Sequence, residues 1–136
     1  MSPENMHYLR CSEALKNSII FNNLESNEIH NLLSHMTMTK WKKGIFMNSS
    51  EFNSSLHFII SGRIKGFQIN VNTKREHTVF ILTKGDLFDI INLMDGKNHL
   101  MYWETLDDLE LLIIPILEMR RWVEENSRLN RSLMSY

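Results

Sequence analysis

Gly66-Phe67-Gln68-Ile69-Asn70-Val71-Asn72 runs through Thr73-Lys74-Arg75-Glu76 into His77-Thr78-Val79-Phe80-Ile81-Leu82. In the first run Phe67, Ile69 and Val71 alternate with Gln68, Asn70 and Asn72, a period of two that sets one face of a strand in a core and the other in water. Residues 72–76 are polar and make a turn. The second run is apolar at nearly every position and returns as a strand buried on both faces, so the pair reads as a β-hairpin.

Further strands lie on either side of the hairpin. Leu56 to Ile60 precedes it and Leu109 to Ile114 follows it, with shorter strands at Met38 to Trp41, Ile45 to Met47 and Leu100 to Leu106. Glycines at 44, 62, 66, 85 and 96 punctuate this region at turn spacing. Seven or so short antiparallel strands fit a sandwich or barrel better than an open sheet. Residues 6–35 read as helical in pieces: Ser26 or Asn27 is the expected N-cap of a helix that buries Ile29, Leu32 and Leu33. Pro115 closes the β region, and residues 116–125 read as a helix with Ile116, Met119, Trp122 and Val123 on one side. A last helix is expected after Asn126 or Ser127, with Leu129 and Leu133 four apart. The expected plan is one domain over 1–136: helices over 1–35, a β-roll over 36–115, and helices over 116–136.

Composition agrees with a single globular unit. The chain has 136 residues, of which 43% are hydrophobic, with two Pro and five Gly, enough apolar material for one core. Fifteen Lys+Arg against sixteen Asp+Glu leave a formal charge of −1, which argues against nucleic-acid binding through bulk charge. The single cysteine, Cys11, excludes an internal disulfide and an iron–sulfur cluster, and points to a reducing, cytoplasmic compartment. No signal peptide or membrane span is read.

Candidate chemistry is sparse. The sequence lacks a Gly-x-Ser-x-Gly elbow, a phosphate-binding loop, a dinucleotide fingerprint and His-Glu-x-x-His, so it is read as a non-enzyme. His30 and His35 lie roughly 140° apart on a helix and cannot share a metal there. His7, His57, His77 and His99 have no ligand spacing and are read as surface or turn residues, so no metal site is expected. Asp107-Asp108 reads as a solvated turn, Glu124-Glu125 as an exposed helix face, and Lys40, Lys42 and Lys43 around Trp41 as a charged sheet edge. Nine methionines read mostly as core.

The order of these parts resembles the sensory domain of the Crp/Fnr family of bacterial transcription regulators, over about residues 19–136. The stretches that carry the resemblance are Phe58-Ile59-Ile60-Ser61-Gly62-Arg63-Ile64-Lys65, the Lys74-Arg75-Glu76-His77 turn, and Lys84-Gly85-Asp86-Leu87-Phe88 continuing to Gly96, followed by Ile113-Ile114-Pro115. The resemblance implies a mainly β fold, a double-stranded β-helix or cupin-like jelly roll, with flanking short α-helices. It also implies a small-molecule effector and a homodimer in the full-length protein. DNA would be bound only through a helix-turn-helix domain absent from this chain, whose helical pattern breaks off at Tyr136 like a piece of a longer regulator.

The family's cAMP-binding members hold the cyclic phosphate with helix N-terminal amides and an arginine, and the ribose hydroxyl with a glutamate. The glutamate position falls here on Ile90, the following glycine on Asn92, and the Arg-Ser pair on about His99-Leu100. All depart from the pattern, and a phosphodiester buried beside Asp89 without arginine would be poorly compensated. No cAMP binding is therefore expected. The pocket reads as re-lined by Ile90, Ile91, Leu93, Met94, Leu100 and Met101, with Asp89, Asn92, His99 and Tyr102 as polar handles. An uncharged organic effector is the first expectation. Haem, with His99, Met94 or Met101 as axial ligand, is the alternative, and a standalone β-roll interaction module is the other.

Overall fold

The computed structural model describes residues 7–48, 55–69, 72–89 and 102–125. Two helices, α1 (Tyr8–Lys16) and α2 (Ser26–Ser34), precede strands β1 (Thr37–Trp41), β2 (Phe46–Asn48), β3 (Ser55–Ser61), β4 (Ile64–Ile69), β5 (Glu76–Leu82), β6 (Leu87–Asp89), β7 (Tyr102–Thr105) and β8 (Leu109–Pro115), and helix α3 (Ile116–Glu124) follows. The strands form two antiparallel four-stranded sheets, ordered β1-β8-β3-β6 and β2-β7-β4-β5. This is the expected jelly roll with short helices attached.

Alternation along β3 and β8 decides where the core sits. Phe58 and Ile60 of β3, with Leu112 and Ile114 of β8, face the helices and meet Leu15, Ile29, Leu32, Leu33, Met119 and Trp122. Ile59 of β3, with Leu109 and Leu111 of β8, faces the other sheet and meets Met47, Ile64, Phe88 and Trp103. Both strands are covered on two faces, which explains their unbroken apolar runs. Each fully buried Leu, Ile or Phe contributes about 1.5–3 kcal/mol.

Local chemistry sets the ends of the elements. The N-cap of α2 is Glu25 rather than Ser26 or Asn27, because the Glu28 carboxylate reaches back to accept the Glu25 N–H at 2.9 Å. Ser18 is buried and ties α1 to the chain beyond it: its hydroxyl donates to the Leu15 carbonyl at 2.8 Å and accepts the Phe21 N–H at 3.1 Å. Gly62 turns β3 into β4 at φ 96°, where a Cβ would collide with the Asp108 carbonyl. Cys11 is buried in the helical core, and that burial pushes its thiol above the ordinary value, away from reactivity.

Three strand expectations change. β5 is an edge strand, not one buried on both faces: Ile81 is 52% exposed. A short strand, β6, occupies part of the Gly85 stretch and pairs with β3 through Phe58↔Leu87 and Leu56↔Asp89. The pairing of β4 with β5 carries a bulge between Gly66 and Phe67. The expected helix after Asn126 lies outside the described residues.

Candidate functional site

The interior of the roll is built on one cross-strand row. Met47 of β2 pairs with Trp103 of β7, Trp103 with Gly66 of β4, and Gly66 with Phe80 of β5. Gly66 is required in this row, since a Cβ there would lie 2.6 Å from Phe80 Cε2. The vacated volume lets the Phe80 ring reach Trp103, with centroids 5.4 Å apart.

From Trp103 a chain of aromatic contacts crosses to the opposite sheet. Trp103 stacks on Phe88 at 5.4 Å and 25°, and Phe88 on His57 at 5.1 Å and 20°. His57 then meets Trp41 at 5.6 Å. Offset stacking of this kind adds about 0.5–1.5 kcal/mol per pair beyond burial and rigidifies the wall it forms.

Polar atoms are few at this surface. His57 is only 3% exposed, so it is neither a surface nor a turn residue; its strand parity sets it beside Ile59 on the inner face. Its Nδ1 lies 3.1 Å from the Ser55 carbonyl, which can only accept, so Nδ1 carries a proton. Thr105 is buried and satisfied, accepting the Ile45 N–H at 2.9 Å and donating to the Lys42 carbonyl at 2.6 Å. Trp103 differs. It is wholly buried and its Nε1–H has no hydrogen-bond partner among the described residues, an arrangement that costs about 1–3 kcal/mol.

Charged groups are engaged on the outside. Arg63 forks onto Asp107 at 2.7 and 3.1 Å and holds its carboxyl below the usual range, while Asp108 accepts the Lys43 N–H at 2.8 Å. The acidic pair thus braces turns, as its solvated-turn reading requires. Lys40 is exposed on β1, an edge strand. His30 Nδ1 sits 2.8 Å from the Tyr8 hydroxyl, and His35 caps α2. Among the described residues no group of three His, Cys, Asp or Glu side chains is placed to hold a metal.

Of the expected pocket residues, Ile90, Ile91, Asn92, Leu93, Met94, His99, Leu100 and Met101 lie outside the described residues. Asp89 ends β6. Tyr102 opens β7, where it pairs with Phe67 and packs its ring on Phe46 at 5.5 Å and on the fully buried Phe67 at 5.9 Å, on the strand face opposite to that of Trp103. Trp103 is the β7 aromatic that points inward, and it was absent from the expected set. Period-two alternation with buried Thr105 is the signal that finds it. A groove of about 380 Å³ between the roll and α3 is lined by Leu56, Leu87, Ile116, Met119 and Val123, with Arg120 and Glu124.

The model of the cyclic nucleotide-binding domain matches residues 43–126, more than half of the chain. No curated protein matches the sequence. Among solved structures the chain is similar to the Catabolite Activator Protein of Thermus thermophilus, at 22% identity and TM-score 0.69, covering 87% of this chain and 55% of that one. It is also similar to the sensor domain of the transcriptional regulator DNR from Pseudomonas aeruginosa, at 18% identity and TM-score 0.70, covering 96% and 88%. A CooA mutant from Carboxydothermus hydrogenoformans matches at 17% identity and TM-score 0.70, covering 89% and 76%. At these identities the likeness is one of fold. The chain spans about half the length of the Thermus protein.

Proposed function

The chain belongs to the cyclic nucleotide-binding domain family, and on that premise we propose that it is the effector-sensing domain of a Crp/Fnr-type transcription regulator whose effector is an uncharged, apolar molecule rather than a cyclic nucleotide. Residues 1–136 form one sensor domain in this reading. The observation that carries it is the roll interior: its described wall is mostly aromatic and aliphatic, His57 and Thr105 on it are hydrogen-bonded to backbone, and among the described residues the one orphaned polar group is the Trp103 N–H, a neutral donor. A flat molecule with one carbonyl-type acceptor satisfies that donor and stacks on the same rings. A phosphodiester brings a charge that this wall does not compensate.

In the proposed regulator the domain works in the cytoplasm as part of a homodimer, and DNA is bound by a helix-turn-helix domain outside this chain. Effector binding then biases which of two dimer geometries is populated, by its difference in affinity for the two. No helix among the described residues is long and apolar enough to cross a membrane. The reading leaves the domain without catalytic work.

Calorimetry with cAMP and cGMP, alongside thermal-shift screening of neutral aromatic carbonyl compounds, tests the proposal. No heat is expected from either nucleotide up to about 1 mM, the weak limit of specific affinity. A stabilising neutral compound should lose most of its effect in Trp103→Phe, which keeps an aromatic ring and removes the donor. Micromolar cAMP binding overturns the reading.

A further inference from the structure

The groove between the roll and α3 follows the helix along its whole length. On the helix side it is lined by Ile116, Met119, Arg120, Val123 and Glu124, which form one stripe of a helical surface. Leu56 of β3 and Leu87 of β6 make the facing wall. An apolar trough beside a helix of nine residues, about 13 Å long at the helical rise, has room for a rod of similar length. Amphipathic helices fill such grooves through anchors at i, i+4 and i+7.

The chain carries these anchors directly beyond α3. Leu129, Leu133 and Tyr136 are spaced i, i+4, i+7, and they mirror the stripe of α3 about Asn126. Val123 and Leu129 lie three residues to either side of Asn126, Met119 and Leu133 seven, Ile116 and Tyr136 ten, and Glu124 and Arg128 two. In two antiparallel helices joined by a short turn, residues equidistant from its centre stand at the same height. The mirror therefore sets each apolar side chain level with another. It also sets the Arg128 cation level with Glu124, which takes part in none of the ion pairs among the described residues. The end of α3 suits a reversal: the Glu125 N–H donates to both the Arg121 and the Trp122 carbonyls, at 3.3 and 3.2 Å, the tightened turn of a closing helix. Asn126 and Ser127 are N-cap residues for a helix that follows.

We propose that residues 128–136 fold back as a helix antiparallel to α3 and bury Leu129, Leu133 and Tyr136 in this groove. The occupant is thus a segment of the same chain. A second copy offers the same stripe, but a turn of two or three residues holds the attached segment at a local concentration of roughly millimolar, which a separate molecule in dilute solution does not reach. Leucines buried in the groove are withheld from other contacts, so the hairpin and subunit pairing through residues 129–136 exclude each other.

Disulfide trapping in a Cys11→Ala chain tests the proposal. Ile116→Cys with Tyr136→Cys sets two thiols level on facing helices, whereas one continuous helix would hold them about 30 Å apart. In dilute protein the intramolecular bond should form at least about tenfold faster than in the control Leu117→Cys/Tyr136→Cys, because disulfide geometry is specific and Leu117 is 70% exposed on another face of α3. Thermal unfolding of the chain with Cys11 intact gives a second readout. Leu133→Asp should lower the midpoint by roughly 4 °C or more, and Arg131→Asp, on the far side of the proposed helix, by less than about 1 °C. Equal trapping rates for the two cysteine pairs, or an unchanged midpoint in Leu133→Asp, overturn the proposal. So does the absence of any bond, which leaves the groove to another occupant, and so does a disulfide-linked dimer as the main product, which gives the segment to a second copy.

Discussion

The ring of Phe80 occupies the space that a side chain at Gly66 would need: a Cβ there would come within 2.6 Å of Phe80 Cε2 and 2.9 Å of Cζ. Two residues paired across β4 and β5 thus divide one volume, nothing on one strand and a large ring on the other. Gly66→Ala is expected to destabilise the chain by about 1–3 kcal/mol, since Trp103 blocks the ring's retreat. Phe80→Leu in the same chain should return part of the loss. Urea unfolding of the single and double variants checks both.

Trp122 joins α3 to the helical core, where it is buried with Met119. Trp122→Ala is expected to cost about 3–5 kcal/mol, the range for removing a large buried aromatic. Chemical denaturation measures it. A cost below 1 kcal/mol would mean that α3 is not a structural part of the roll.

Glu110 carries a pH dependence. Arg10 Nη1 donates to its Oε2 at 3.0 Å, Arg10 Nη2 pairs with Oε1, and the Ser61 hydroxyl donates to Oε1 at 2.8 Å. These donors, the arginine first, hold the carboxyl at about 2 against its ordinary 4.5, outweighing the opposing effect of desolvation. As pH falls the unfolded chain takes up the proton first, so the stabilisation is complete above 4.5 and is lost between about 4.5 and 2. Arg10 is half exposed, and solvent screening keeps the pair's worth under about 1 kcal/mol. Denaturant midpoints across that window should fall less steeply for Glu110→Gln than for the original chain.

The purified chain is expected to be colourless. His57, the described histidine at the roll interior, stacks on Phe88 and meets Trp41 at a tilt, with Nδ1 turned to Ser55. Reconstitution with haem decides the matter. A sharp Soret band at one haem per chain, abolished by His99→Ala or Met94→Ala, would replace the neutral-effector reading with a gas-sensor one.

Much of the roll was legible because strand parity is a local property. The alternation of Phe67 with Gln68, and the apolar runs at 56–60 and 109–114, lie on β4, β3 and β8. What failed depended on neighbours. Val79-Phe80-Ile81-Leu82 reads alike in a central strand and at an edge, and only the sheet order exposes Ile81. His57 read as a surface residue by residue type, although its parity with Ile59 already placed it inward. The α2 cap moved to Glu25 because a carboxylate three residues on competes with the usual hydroxyl cap. For the pocket, parity separates Tyr102 from Trp103 but cannot say which of the two faces in. The registers Met47↔Trp103 and Gly66↔Trp103 settle that.

Strand β7 is four residues long and stands between β2 and β4, so it is wall to both surfaces at once: Trp103 and Thr105 inward, Tyr102 and Glu104 outward. In the proposed homodimer, occupancy of the roll and the pairing of subunits are linked equilibria, and linkage is reciprocal. An effector that strengthens pairing must itself be held more tightly by the pair, so its apparent affinity would climb with the concentration of the protein.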